Sequence, residues 1–381
     1  DVYKLNVALS LKGHNGKVSD ETNYDRMYSD RIIARYDHMS YSAPDFYISG
    51  EFGNDRFNYM ESPVPGTLFT VKDWTDKQHN QMVKAAIGID SYSFGDFTLS
   101  AEAGMSFFGQ KYITSLYEDE DKYRETLFHV NANGKYQFSL EHAAELGIKF
   151  FSSQYPMSAV KGVTHVYFTP HYTYSGDNFS VKAGAIIGTN GNFAPDVNFT
   201  YHLLPSCDFY VNASGYSREN ELRRFSEIHP YFVFEQIRKF DKMEISSEFH
   251  TINANIGGKF AGVKIGPDCK LGGDVNVGYD IGKGCPWAET MWVANNLARP
   301  AFSLCDTKRF YFNADVTFSY KDIVKFEMKN QLNFWRYRND GSDGWAKGNY
   351  LEPKINVSCI ADVKLIKGLH LGLSWIYSRY D

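Results

Sequence analysis

Residues 310–335 read FYFNADVTFSYKDIVKFEMKNQLNFW, and their side chains alternate between two kinds. Apolar residues occupy every second position from Phe310 to Tyr320, and polar residues fill nearly all the positions between them. After a short turn at 321–323, the same alternation runs from Val324 to Phe334. A period of two is that of a β-strand. Each arm has about ten residues, which is the length of a tilted strand that crosses a bilayer. The stretch therefore predicts a transmembrane β-hairpin.

Similar two-faced segments recur along residues 1–381, and their connections fall into two length classes. Short turns are expected near 42–44, 94–96, 175–178, 204–208, 264–268, 321–323 and 366–368. Long loops are expected near 13–30, 54–79, 110–125, 218–250, 282–308 and 338–350. Outer-membrane barrels combine short periplasmic turns with long extracellular loops. We therefore predict an all-β protein, a single transmembrane antiparallel β-barrel of about 16–18 strands.

The composition agrees with a barrel whose strands each have one wet face. Aromatic residues make up 16% of the chain, with 27 Tyr and 29 Phe. The mean hydropathy is only −0.41, and no apolar run approaches the roughly 18 residues of a membrane-spanning helix. A net charge of −5 argues against a nucleic-acid partner. We expect a location in the bacterial outer membrane, contact with its lipid or lipopolysaccharide, and prior removal of a secretory signal.

The strand count has a consequence for closure of the barrel. The segments number about seventeen, and the last one ends on the side of the long loops. An unpaired strand edge inside lipid costs several kcal/mol per unsatisfied backbone group. We therefore expect a closing C-terminal strand to lie beyond the sequence given.

Three stretches resemble the barrel part of TonB-dependent-receptor-like proteins of the Bacteroidetes type. They are 197–215, with Leu204-Pro205 and Phe209-Tyr210-Val211, then 226–232, with Pro230-Tyr231, and 253–279. The resemblance implies an outer-membrane barrel that takes part in transport. Receptors of that family also carry an N-terminal plug and a segment that contacts TonB. The first strand here begins at Tyr3, so we expect a barrel without a plug.

The inward rows of these strands carry charges of both signs. The predicted lumen-lining residues are Lys84, Asp90, Glu102, Asp315, Lys325, Glu327, Lys329 and Gln331. A wet, charged lumen is the simpler interpretation. The alternative is that these residues set selectivity or bind a plug peptide or a partner segment. The presence of charges of both signs argues against a pore with a strong preference for cations or anions.

No pattern of catalytic or metal-binding residues is present. The chain lacks the G-x-S-x-G, H-E-x-x-H, G-x-G-x-x-G and P-loop motifs, and its 11 histidines are scattered. We predict a protein that is not an enzyme, with no cofactor and no metal site. Cys285 and Cys305 flank the insertion at 282–308 and are a candidate disulfide. Cys207 and Cys269 are expected to be free thiols.

Aromatic residues in two of the long loops, 218–247 and 282–308, either pack each loop as a lid or are candidates for docking another protein. These are Tyr231, Phe232, Phe234, Trp287 and Trp292, and large aromatic residues are favoured at interfaces. Two functions remain open. The favoured one is a non-enzymatic scaffold or subunit of an outer-membrane complex for protein assembly or export, with other outer-membrane proteins or surface lipoproteins as partners. The alternative is a passive porin or a receptor barrel for solute uptake.

Overall fold

A computed structural model gives the fold. It describes residues 2–17, 24–40, 43–58, 77–112, 122–156, 160–228, 243–244, 247–293, 297–321, 323–339, 343–348, 353–366 and 369–379. These residues form twenty β-strands and one short helix. The prediction of an all-β antiparallel barrel is confirmed, and seventeen of the strands are long.

The long strands follow one another through the whole chain. They are β1 (Val2–Lys17), β2 (Tyr24–Met39), β3 (Phe46–Asn58), β4 (Lys77–Phe94), β5 (Phe97–Tyr112), β6 (Lys122–Gln137), β7 (His142–Gln154), β9 (Val163–Ser175), β10 (Phe179–Gly188), β11 (Phe193–Leu204), β12 (Cys207–Arg218), β14 (Glu248–Lys264), β15 (Cys269–Val293), β16 (Leu297–Tyr320), β17 (Val324–Asn339), β19 (Ile355–Ile366) and β20 (Leu369–Arg379). The remaining elements are β8 (Val160–Lys161), α1 (Leu222–Ile228), β13 (Met243–Glu244) and β18 (Ala346–Lys347).

Each long strand pairs antiparallel with the long strands before and after it in the chain, so the sheet is a continuous meander. Within the described residues, β1 pairs with β2 and β20 pairs with β19. β18 adds two residues to the side of β17, while β8 and β13 form a separate two-stranded parallel sheet. Connections alternate between short turns, such as 95–96, and longer segments, and these define a short-turn end and a long-connection end of the barrel.

The hairpin predicted from 310–335 is present as β16 and β17. Asp315 lies opposite Lys329, and Phe310 lies opposite Phe334 with ring centroids 6.2 Å apart. The turn includes Lys321, whose backbone has a positive φ of 48°. The alternation in sequence therefore corresponds to two strand faces held in register by the backbone ladder.

The outer face of the barrel is apolar. Large hydrophobic side chains such as Ile48, Ile87, Val130, Ile256 and Phe334 are exposed to the surroundings. Their neighbours along each strand point the other way and are mostly polar, as alternation requires. This is the reverse of a water-soluble sandwich, in which apolar rows meet in a dry core. In the described part of the chain, one cluster of buried apolar residues comprises Tyr167, Ile186, Ala194 and Phe249.

The insertion at 282–308 differs from the predicted loop. β15 continues to Val293 and β16 begins at Leu297, so most of the insertion is a hairpin extension of the barrel wall. A register shift between Gly282 and Cys285 breaks the alternation at the point where the extension starts. Strands also extend into the loops predicted at 13–30, 54–79 and 110–125, and the middle parts of those loops lie outside the described residues.

The single helix is short. α1 has seven residues, and no helix in the described part of the chain has the length and apolar character needed to span a membrane.

A charge placed on the outer face should destabilise the protein far more than the same charge placed on the inner face. Ile87 is flanked by Ile48 and Ala103 on the neighbouring strands. We expect Ile87→Lys to lower the free energy of unfolding in lipid vesicles by about 2–4 kcal/mol, the cost of a lysine near the bilayer midplane. Ala86→Lys, one residue away on the inner face, should change it by less than about 1 kcal/mol. Denaturant titration of both variants measures this, and equal losses would contradict the assignment of the faces.

Candidate functional site

A segment of the chain crosses the inside of the barrel at the long-connection end. It comprises residues 219–228, which follow β12 and include α1, and we refer to it as the lumen segment. Asn220, Leu222 and Phe225 are almost fully buried. The segment hydrogen bonds to β4 and β6 on one side and to β15 on the other. Because these strands are far apart in the meander, the segment must span the concave interior of the sheet.

One side of the lumen segment is held by β14 and β15. The Asn220 side chain donates a hydrogen bond to the Gly284 carbonyl at 2.8 Å and accepts one from Arg224 at 3.0 Å. The Arg224 guanidinium also pairs with the Glu248 carboxylate. All three side chains are nearly buried, at 3%, 8% and 4% exposure for Asn220, Arg224 and Glu248. Paired charges in a buried setting make this anchor sensitive to loss of either partner.

The other side is held by β4 and β6. Asn80 of β4 donates a hydrogen bond to the Ser226 hydroxyl at 2.7 Å. Glu125 of β6 accepts hydrogen bonds from the Leu222 backbone N–H at 3.2 Å and from the Tyr155 hydroxyl at 2.7 Å. Leu222 is the first residue of α1, so the Glu125 carboxyl satisfies a backbone donor that the helix leaves unpaired.

Burial controls the ionisation of Glu125. The Glu125 side chain is 2% exposed. Along β6, Glu125 comes before Phe128, the first exposed apolar residue, so it lies beyond the edge of the apolar band of the outer face. Desolvation raises the pKa of its carboxyl from 4.5 to about 8, against the opposing effect of the hydrogen bonds from Tyr155 and Leu222. The carboxyl is therefore mostly protonated at neutral pH.

A cavity of about 550 Å³ remains between the lumen segment and β1–β5. Its lining includes three basic residues, Lys12, Arg31 and Arg223, and one acidic residue, Asp55. Asn80 and Ser226, which anchor the segment, also line it. The lumen segment therefore narrows the lumen but does not fill it. The side chains that line the remaining space have a net positive charge.

A second cavity of about 290 Å³ contains two of the predicted lumen residues, Lys84 and Glu102. The Lys84 ammonium lies 4.0 Å from a carboxylate oxygen of Glu51, and Glu102 lies 3.1 Å from Nε2 of His129. Glu221 of the lumen segment lines the same space. The structure thus brings together two sequence-predicted residues with a segment that the prediction placed outside.

The other predicted lumen residues form local pairs on the wall. Asp90 contacts the Arg35 guanidinium at 2.5 Å. Lys325 and Glu327 form an ion pair at 2.6 Å, and Asp315 lies opposite Lys329. Gln331 lies on the same strand as these last residues, paired with β16 and β19. None of these residues reaches the lumen segment through a described contact, and their effect on selectivity stays a prediction.

A row of asparagines crosses β12 and β14, and the sequence analysis did not single it out. Asn212 donates to Asn255 at 2.9 Å, and Asn255 donates to the Tyr311 hydroxyl at 3.2 Å. Tyr311 in turn donates to Asn253 at 2.6 Å. Asn212, Asn255 and Tyr311 line a third space of about 400 Å³. Recurrence of Asn at inward positions was the signal available in the sequence.

The candidate disulfide is not formed in the structure. Cys285 and Cys305 lie directly opposite each other on β15 and β16, as a cross-strand disulfide would require, but both thiols are free and buried. The Cys305 sulfur lies 3.5 Å from the Cys285 carbonyl oxygen. Cys207 and Cys269 are free thiols in the structure, in agreement with the prediction.

Only one of the proposed docking residues has a described side chain. Trp287 is 6% exposed and stacks on Tyr337 with ring centroids 4.0 Å apart. It packs against the wall and leaves little surface for a partner, and its role in docking stays a prediction. Tyr231, Phe232 and Phe234 lie outside the described residues, as does the side chain of Trp292.

The lumen segment shows where part of the loop predicted at 218–250 lies. Residues 219–226 of that loop fold inward and pack against the inner wall of the barrel. Leu222 and Phe225 are spaced by three residues, which is a helical spacing. That spacing spans less than one helical turn, so it is too short to predict a helix from sequence.

The overall architecture is similar to that of several solved outer-membrane receptors. The siderophore receptor PirA from Acinetobacter baumannii matches with a TM-score of 0.62 and 9% identity, over 92% of this chain and 58% of its own. The FrpB iron transporter from Neisseria meningitidis matches at 0.64 and 9%, over 99% and 64%. The outer-membrane transporter YddB from Escherichia coli matches at 0.60 and 10%, over 99% and 61%.

These similarities concern the fold. The chain spans about three fifths of the length of these transporters. No protein-family model matches the sequence, and no curated protein matches it.

Docking of the lumen segment should weaken as pH rises. The Glu125 pKa is higher in the folded state than its ordinary value, so its contribution to stability is fully present below about pH 4.5 and is lost as pH passes about 8. We expect hydrogen–deuterium exchange of 222–228, corrected for the intrinsic rate, to accelerate between pH 6 and 9. Glu125→Gln keeps an acceptor for both hydrogen bonds and should remove this pH dependence. An unchanged pH profile in that variant would contradict the assigned role.

Proposed function

We propose that this chain is the barrel of an outer-membrane receptor or transporter for a solute, located in the bacterial outer membrane, with the lumen segment restricting passage. The observation that carries the proposal is the lumen segment, which hydrogen bonds to opposite walls and leaves the 550 Å³ cavity beside it. The similarity in fold to siderophore receptors and an iron transporter supports it.

The attachments of the lumen segment are suited to release. They are mostly polar contacts, such as those of Asn80 to Ser226 and of Asn220 to Gly284. A hydrogen bond of this kind contributes only about 0.5–1.5 kcal/mol net, because water can replace the partner when the groups separate. Displacement also has to separate the buried Arg224–Glu248 pair and to expose Leu222 and Phe225, so the docked position is favoured until a ligand changes the balance. This property favours a regulated passage over a permanently open pore.

The chemistry of the cavity favours an anionic solute. Three basic residues and one acidic residue line it, giving a net positive charge of about two at neutral pH. Arg223 comes from the lumen segment, while Lys12 and Arg31 come from the wall. A bound anion would thus contact both the wall and the movable element, and could change the preference of the segment between its docked and displaced positions.

The sequence favoured the scaffold function because it resembled receptor barrels and showed no plug, and it left the aromatic loops open between a self-packed lid and a docking surface. Trp287, the docking candidate whose side chain is described, is buried. The polar lumen and its cavities are features that transport uses and that anchoring of outer loops does not need. For these reasons we place solute uptake ahead of the scaffold.

Single-channel recording of the full-length protein in planar bilayers tests the proposal. We expect a low basal conductance and a several-fold increase in Asn80→Ala and in Ser226→Ala, because each removes one attachment of the lumen segment. Asn313→Ala is the matched control: it removes a lumen hydrogen bond of similar length, 3.1 Å to Asn276, far from the segment. Its conductance should equal that of the wild type.

The outcomes separate the two functions. A higher conductance in the two anchor variants alone supports a restricted transport barrel. A silent barrel in all variants that copurifies with other outer-membrane proteins would support the scaffold and refute our proposal. Equal increases in Asn313→Ala would show that the lumen segment is not the restricting element.

A further inference from the structure

A compact group of three potential metal ligands lies next to the first residues of the lumen segment. Glu248 and His250 are two residues apart on β14, so their side chains share one face of the strand. Cys285 belongs to β15 and follows a bulge that includes Gly284, whose φ is 62°. The three side chains are 4%, 2% and 1% exposed. They lie on the long-connection side of Ile256, the exposed apolar residue of β14 nearest to them.

The distances within the group suit a single ion. The Glu248 Oε1 atom is 2.7 Å from His250 Nε2, and the Cys285 sulfur is 3.8 Å from the same nitrogen. The three ligand atoms all lie within 4.8 Å of one another. Tetrahedral zinc with bonds of about 2.0–2.3 Å separates its ligand atoms by about 3.2–3.8 Å. The sulfur-to-nitrogen distance is already in this range, and a shift of Glu248 Oε1 by about half an ångström away from Nε2 would bring the oxygen-to-nitrogen distance into it.

Neighbouring groups hold the imidazole in the orientation that a metal needs. Asp280 accepts a hydrogen bond from His250 Nδ1 at 2.6 Å, which leaves Nε2 directed at Glu248 and Cys285. A carboxylate behind a histidine in this way is the usual support of a metal-binding imidazole. Tyr216 stacks on the ring with centroids 4.0 Å apart and an interplanar angle of 11°. The ring therefore has little freedom to turn away.

Neighbouring side chains also orient or stabilise the other two candidate ligands, Cys285 and Glu248. The Thr307 hydroxyl donates a hydrogen bond to the Cys285 sulfur at 3.2 Å, an interaction that stabilises a thiolate. Arg224 pairs with Oε2 of Glu248, so Oε1 is the oxygen that faces the group.

A glycine keeps the space between these residues open. A Cβ atom at Gly282 would lie 2.5 Å from the Cys285 sulfur, 2.8 Å from the Thr307 hydroxyl and 3.0 Å from Cε1 of His250. Real Cβ atoms do not approach other atoms this closely. Any larger residue at 282 would therefore push the three side chains apart.

We propose that Glu248, His250 and Cys285 bind one divalent transition-metal ion, with zinc as the best match. One carboxylate oxygen, one imidazole nitrogen and one thiolate sulfur form a set of borderline-soft donors that suits Zn²⁺ rather than Mg²⁺ or Ca²⁺. Three protein ligands leave a fourth position for water or for a group of a bound molecule. The site joins β14 to β15, and through Arg224 it contacts the lumen segment. It stands independently of the proposed transport function.

Titration with Co²⁺, a spectroscopic substitute for zinc, tests the proposal on the full-length protein in detergent with a reductant that is not a thiol. We expect one equivalent to bind, with a thiolate-to-cobalt charge-transfer band and the intense visible bands of a tetrahedral site, and Zn²⁺ should displace it. The charge-transfer band should be lost in Cys285→Ser, and His250→Gln should lose stoichiometric binding. Cys359→Ser, a thiol on β19, is the matched control and should bind as the wild type does.

A supporting residue gives a graded result. Asp280→Asn should weaken cobalt binding about 10–100-fold, the usual effect of removing the group behind a metal-bound histidine. A charge-transfer band that persists in Cys285→Ser, or wild-type binding no stronger than that of His250→Gln, would overturn the proposal.

A second measurement does not depend on folding of the variants. Zinc K-edge X-ray absorption of the wild-type protein loaded with one equivalent of Zn²⁺ should show one sulfur neighbour at about 2.3 Å and nitrogen or oxygen neighbours at about 2.0–2.1 Å. A first shell without sulfur, or with two sulfur atoms from Cys285 and Cys305, would show that the ligand set is not the one proposed.

Discussion

The backbone hydrogen-bond ladder between successive strands is the constraint on which the rest of this structure depends. In lipid, an unpaired N–H or C=O costs several kcal/mol, so each strand has to be matched along its length by its neighbours. The meander provides this, with long uninterrupted registers such as that between β16 and β17. Once the register is fixed, every side chain is assigned to one of two faces, and the sequence only has to place oily residues on one and polar residues on the other.

The inner face then follows a different rule from the core of a soluble protein. Its cohesion comes from hydrogen bonds and ion pairs, and apolar contact contributes only in small clusters such as that of Tyr167 and Phe249. Glu248 and Asp280 are nearly buried, and each has polar partners. Buried charges of this kind add little net stability, but removing one partner is strongly unfavourable. The Arg224–Glu248 pair is therefore well suited to fixing where the lumen segment lies.

The parts of the fold that repeat every two residues could be predicted from sequence, and the parts that break this period could not. Residues 310–335 follow the alternation except at the turn and at Asn330, and they form the hairpin that the pattern indicates. The insertion at 282–308 contains Gly282, Gly284 and Pro286, so it resembled a loop, although the ladder resumes beyond the bulge. Cys285 approaches His250 next to the register shift between Gly282 and Cys285, where the glycines mark a break in the pattern but do not show which side chains meet.

The lumen segment was missed because its stabilising partners are distant in the chain. Asn80, Glu125 and Gly284 come from three separate strands, and only the curvature of the sheet brings them around residues 219–228. A helix of seven residues has too few positions to show a periodic pattern. Long-range polar contacts of this type carry no local compositional signal, in contrast to the apolar outer face.

The lumen segment leaves β12 at Arg218, and the chain that follows it returns to the barrel wall in β14 at Glu248. Both junctions lie at the same rim, on strands that are hydrogen-bonded neighbours. The segment is therefore tethered to the rim and cannot depart as a detached body. If it is displaced as proposed, its return is an intramolecular event whose speed is independent of protein concentration.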